Sequence, residues 1–121
     1  MPDETGRLLA DRTVDYGLAA IDYGERLPRT AAGRHVGDQL LRSATGVAAN
    51  YAEATEAESA DDFVHKAKIA LKELKESRVW LRFARRLAPD PAVDALWRES
   101  GELVRMLGAS VATALRARSS H

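Results

Sequence analysis

The chain has 121 residues, with 18 Lys and Arg against 18 Asp and Glu, so its formal net charge is zero. That length is one domain's worth, enough to bury a shared core without disulfides or metal. The absence of cysteine excludes a disulfide framework, a thiolate metal site and a cysteine nucleophile, and it suits a reducing compartment. Zero net charge argues against a protein that coats nucleic acid through bulk charge.

The first residues, Met1-Pro2-Asp3-Glu4, are acidic and polar and no apolar run follows them. No stretch approaches the roughly 18 consecutive apolar residues of a membrane span. The expectation is a cytoplasmic protein, neither exported nor inserted in a membrane. A chain rich in Ala, Leu, Arg and Glu favours helix throughout.

Helix one is expected over about 5–27, with Val14, Leu18 and Ile21 as its seam, flanked by Tyr16, Ala20, Tyr23 and Leu27. It ends at Leu27-Pro28-Arg29-Thr30, because proline cannot occupy a helix interior. Helix two, about 30–57, has the seam Val36, Leu40, Ala44, Val47, Tyr51 and Ala54. At the next break Ser59 is an N-cap candidate, and Asp62 adds a carboxylate to the first turn, as in a capping box. Helix three, about 60–88, steps by alternating fours and threes through Phe63, Ala67, Ala70, Leu74, Ser77, Leu81 and Ala84. At Ala88-Pro89-Asp90-Pro91 the aspartate can cap and Pro91 suits a first helical position. Helix four, about 91–118, follows Val93, Leu96, Ser100, Leu103, Leu107, Ser110 and Ala114, and residues 118–121 are expected to fray. Connections this short force neighbouring helices to run antiparallel. The predicted fold is a single-domain, all-α, antiparallel up-down-up-down four-helix bundle.

Two helices are apolar beyond one core stripe. Helix three has a second line through Ile69, Trp80, Phe83 and Leu87, and helix four another through Trp97, Val104 and Val111. These lines are either the rim of a thick core or a surface that docks a subunit or partner. Helix two also carries a polar line, Gln39, Ser43, Gly46, Asn50 and Glu53, with Arg42 close by. Glu73 falls within the apolar arc of helix three, where a carboxylate needs a partner to stay ionised. The expectation is a buried polar contact from Glu73 to Arg42 or Asn50 that fixes helix register.

The run Gln39-Leu40-Leu41-Arg42-Ser43-Ala44, continuing through Val47-Ala48-Ala49-Asn50-Tyr51-Ala52-Glu53-Ala54, resembles a family signature. So does Asp62-Phe63, followed by Ile69-Ala70 and Glu73-Leu74-Lys75-Glu76. The family is that of the four-helix-bundle 23S rRNA-intervening sequence proteins, encoded within bacterial large-subunit ribosomal RNA genes. The likeness is densest from Arg34 to Leu81. The sequence departs from the pattern at Ala54, where glycine is usual, and at Leu71-Lys72, where small residues are usual. It also has no tryptophan in helix one. The resemblance implies a bundle that assembles into a ring, typically a homopentamer, in a family with no established enzymatic activity. The accessory variability proteins of diversity-generating retroelements are more distantly similar, and that likeness implies binding to nucleic acid through basic surfaces.

The residues provide one place for such binding. Helix three carries Lys68, Lys72, Lys75, Arg78, Arg82, Arg85 and Arg86 in an arc about 140° wide, facing away from its seam. Phosphate backbones bind such a surface by counterion release. No base-reading motif accompanies it, so sequence-specific recognition is not expected. The competing reading is a solvated face, or one paired with acids of a neighbouring helix or subunit.

Catalytic patterns are missing. A di-iron bundle needs two Glu-x-x-His motifs and two further carboxylates; this chain offers one Asp62-x-x-His65 at a helix start. There is no phosphate-binding loop and no nucleophile elbow. Catalytic residues, cofactors and metals are therefore all expected to be none. Three readings remain: a homo-oligomeric protein bound non-specifically to RNA or DNA, which the basic face favours; a scaffold docking a protein partner through an apolar helix face; and, against the absence of any catalytic pattern, an enzyme with a site no motif reveals.

Overall fold

Each helix after the first starts on a side-chain cap. Thr30 Oγ1 accepts from the Gly33 N–H at 3.1 Å, Ser59 Oγ from the Asp62 N–H at 3.1 Å, and Asp90 Oδ1 from the Ala92 N–H at 2.8 Å. These bonds satisfy donors that the first helical turn leaves open. In the computed structural model, which describes residues 4–119 and the side chains of 8–118, the helices are α1 (Glu4–Gly24), α2 (Ala31–Thr55), α3 (Ala60–Leu87) and α4 (Pro91–Ser119). Among the described residues there is no strand. The expected fraying at Ser120 and His121 lies outside the described residues, whereas Arg118 is ordered in α4 and bonds Asp61 at 2.7 Å.

α1 stops at Gly24, short of the expected 27. The Arg26 and Leu27 amides turn back onto the Tyr23 and Gly24 carbonyls at 2.9 and 3.2 Å, so Leu27 is buried from a turn and not from a helix. The loop then lies across the first turn of α2. A Cβ on Gly33 would sit 1.9 Å from the Pro28 carbonyl oxygen, so this close approach demands glycine.

Cross-helix pairs settle the directions. From Arg12 in α1 to Arg26 in the turn that follows it, the partner falls from Glu99 in α4 to Asp90 at the cap of that helix. From Arg42 to Glu53 along α2, the α3 partner falls from Glu76 to Lys66. From Asp61 to Arg85 along α3, the α4 partner falls from Arg118 to Asp94. Neighbours are therefore antiparallel. The backbones pack in the cyclic order α1, α2, α3, α4, which leaves α1 and α3 on opposite corners.

The seam expected for α2 is buried throughout. In α3 the seam is buried from Ala67 to Ala84, but it begins at Val64, with Phe63 only partly covered. In α4 it passes to Val111 after Leu107, leaving Ser110 and Ala114 half-buried. The seam of α1 differs from expectation altogether. Leu9, Thr13, Tyr16, Ala20, Tyr23 and Leu27 face the core, while Val14, Leu18 and Ile21 are 49%, 54% and 41% exposed. The tyrosines decide this, because their hydroxyls reach across the core to α3. Tyr16 Oη lies 2.7 Å from Ser77 Oγ, and Tyr23 Oη donates to the Ala84 and Ala88 carbonyls at 3.0 and 2.8 Å. Burial pushes both phenols up to about 12, because a phenolate there would lose its hydration.

Candidate nucleic-acid interface

The seven expected cations of α3 divide into two groups. Arg78 turns toward α4, where its guanidinium lies 3.9 Å from the centre of the Trp97 ring and its Nε donates to Ser100 Oγ at 2.8 Å. Arg85 also turns toward α4, 3.1 Å from Asp94 Oδ1. Arg78 is half-buried, and Arg85, though exposed, is already paired. The heptad geometry of α3 puts both one step from the core seam, facing the α4 flank. Lys68, Lys72, Lys75, Arg82 and Arg86 are exposed and make no ion pair among the described residues. With them stand Val79 and Phe83, 49% and 54% exposed. The free cationic face is thus five residues interrupted by two apolar side chains.

On the opposite flank of α3, Glu73 Oε2 accepts from Arg42 Nη1 at 3.2 Å, and Arg42 Nη2 bonds Glu76. Glu76 also accepts from the Trp80 indole N–H at 3.2 Å, and Trp80 meets the His35 ring edge-on with centroids 5.5 Å apart. This is a rim network and not a buried one, since the Arg42 and Glu73 side chains are 52% and 20% exposed. Asn50 takes no part in it, because its side-chain amide donates to the Gly46 carbonyl of its own helix at 2.8 Å. Gly46 matters sterically: a Cβ there would lie 2.9 Å from Glu73 Oε2.

Two arrangements were not anticipated in the sequence. The first is a polar layer inside the core. Tyr16 meets Ser77 while Ser77 donates to the Leu74 carbonyl, and nearby Ser100 accepts from Arg78 and donates to the Trp97 carbonyl. Serines at seam positions were the available signal. The second is the outer face of α1, where Val14, Leu18 and Ile21 are accompanied by exposed Asp11, Asp15, Asp22 and Glu25. These four acids make no ion pair among the described residues. Beyond Ile21 the stripe runs into an open groove of about 490 Å³ between the end of α1 and α2, bordered by Leu41.

Among the described residues no cluster of His, Asp and Glu could hold a metal ion, and no helix is long and apolar enough to cross a membrane. The family model for 23S rRNA-intervening sequence protein matches residues 12–109.

The chain belongs to the 23S rRNA-intervening sequence protein family.

All of α2 and α3 lie within the matched segment of this 23S rRNA-intervening sequence protein, including Arg42, Glu73 and the seven cations. Among solved structures it is similar to a protein of unknown function from the S23 ribosomal protein family of Bacteroides thetaiotaomicron VPI-5482. The two are 25% identical, with a TM-score of 0.78, over 88% of this chain and 97% of that one. No curated protein matches the chain. Neither matching description names an activity.

Proposed function

We propose that this chain is a non-enzymatic, homo-oligomeric cytoplasmic protein that associates with RNA or DNA through the outward face of α3, without sequence preference. One observation carries the reading: Lys68, Lys72, Lys75, Arg82 and Arg86 point to solvent with no ion pair among the described residues. Cations without internal partners are available to phosphates, and their condensed counterions supply the driving force on release. The family resemblance adds the homo-oligomer, a pentamer being its usual form.

The test is a gel-shift titration of the full chain against single- and double-stranded oligonucleotides at low and physiological salt. Binding is expected to weaken steeply with salt, the logarithm of affinity falling by roughly 0.9 for each phosphate contact per decade on duplex DNA. Lys72→Glu combined with Arg82→Glu is expected to abolish the shift, while Arg85→Gln, at a cation already paired, leaves most of it. No shift by the wild type at low salt would end the proposal. The second reading, a scaffold docking a protein, is favoured by the exposed apolar stripe of α1 and not by the tryptophans, both of which are half-buried.

A further inference from the structure

The outer faces of α1 and α3 are complementary and lie on opposite corners of one bundle. α1 presents Val14, Leu18 and Ile21 flanked by four carboxylates that make no ion pair among the described residues. α3 presents Val79 and Phe83 flanked by five unpaired cations. Among the described side chains no base interrupts the exposed arc of α1 from Asp11 to Asp22, and the carboxylates Glu73 and Glu76 beside the arc of α3 are already engaged by Arg42. Each face is unsuited to pairing with itself, since acids would meet acids and cations would meet cations. Each suits the other, and both are amphipathic in the way interfaces are, with an apolar centre and a charged rim. The apolar stripe continues into the groove bordered by Ile21 and Leu41, whose lining also includes Arg29 and Arg34.

We infer that the α1 face of one copy docks on the α3 face of a second copy. This inference rests on the oligomeric reading above and names its surfaces. The contact is heterologous, using two different patches, and repeats head to tail until the rotation between copies closes a ring. It draws on the same lysines and arginines that the nucleic-acid reading assigns to phosphates. A second copy and a polyanion therefore compete for α3, and assembly state regulates nucleic-acid capture.

Two substitutions at exposed positions test this by mixing. Leu18→Arg disables the α1 face and leaves α3 intact; Phe83→Glu does the converse. Each variant's fold is verified by circular dichroism and a cooperative melt. The measurement is native mass spectrometry together with sedimentation. Wild type is expected to be oligomeric, each variant alone to run as the 13.2 kDa monomer, and an equal mixture to form a heterodimer of twice that mass and nothing larger. Only a heterologous α1–α3 contact gives that pattern, because an interface of α1 with α1 would leave Phe83→Glu dimeric and one of α3 with α3 would leave Leu18→Arg dimeric. A monomeric wild type, a variant that keeps the wild-type mass, or a mixture that stays monomeric would each overturn the inference. Freed of its competitor, Leu18→Arg is expected to bind a single-stranded oligonucleotide several-fold tighter than wild type at low salt. If the mixing pattern holds while no form of the protein shifts an oligonucleotide, the nucleic-acid reading fails and the interface stands.

Discussion

At the scale of single residues, the two most informative positions are glycines with opposite surroundings. The Gly33 Cα faces the Pro28 carbonyl so closely that a methyl group would land 1.9 Å from its oxygen, and backbone cannot yield as a flexible side chain would. Gly33→Ala is expected to cost about 1–3 kcal/mol, as overpacking generally does, read as a lower urea midpoint. Gly108 sits within α4 with nothing inside 4 Å of the Cβ it lacks. There alanine restores helix propensity, so Gly108→Ala is expected to stabilise the protein by up to about 1 kcal/mol. Equal effects at the two sites would show that local geometry does not control them. The core polar layer makes a third residue-scale case. Tyr16→Phe keeps the ring and removes the hydroxyl facing Ser77, and a loss of about 1 kcal/mol is expected for that hydrogen bond. The same melts would detect it, and no loss would mean that Ser77 is satisfied by the Leu74 carbonyl alone.

At the scale of helices, the four elements and their order were legible because their punctuation is chemical: Pro28, Ser59, Asp90 and Pro91 all stand where helices end or begin. What the pattern could not decide is which stripe of α1 faces inward. Val14, Leu18 and Ile21 recur at helical spacing, but so do Leu9, Tyr16, Tyr23 and Leu27 on the opposite side. Side-chain reach to a distant helix decides between them, and a single helical wheel does not contain that information. The same reasoning accounts for Arg78 and Arg85, whose stems start near the seam of α3 and whose heads find Trp97, Ser100 and Asp94 on α4. The pairing of Glu73 was foreseeable from its place in an apolar arc, while the turn of Asn50 onto Gly46 was not, since an amide finds a carbonyl four residues back as readily as a partner helix. The Arg42 link between α2 and α3 is half-exposed, so Glu73→Gln is expected to cost only about 0.5–1 kcal/mol. Its test is a double-mutant cycle with Arg42→Ala. Strictly additive losses would remove Arg42 from any role in setting helix register.

At the scale of the whole molecule, the Tyr16 and Tyr23 hydroxyls carry α1 across the core toward α3, and this makes stability depend on alkaline pH. Tyr16 and Tyr23 have phenols held up to about 12 by burial, against about 10 for an unfolded tyrosine. The folded state therefore retains these protons more tightly than the unfolded chain does. The sign follows from linkage: the contribution is complete below about pH 10 and is lost as pH rises from there toward about 12. The measurement belongs in the Leu18→Arg background, where the contact between copies is disabled and the midpoint reports the single bundle. Urea midpoints of this variant are expected to hold level up to about pH 10 and then fall, with phenolate absorbance appearing as helicity is lost. Adding Tyr16→Phe should lower the midpoint at neutral pH and flatten the alkaline decline, since one of the two linked protons is gone. An alkaline decline that is unchanged by Tyr16→Phe would mean that the loss belongs to groups other than the Tyr16 phenol, and α1 would then be held to α3 by packing without linkage to that proton.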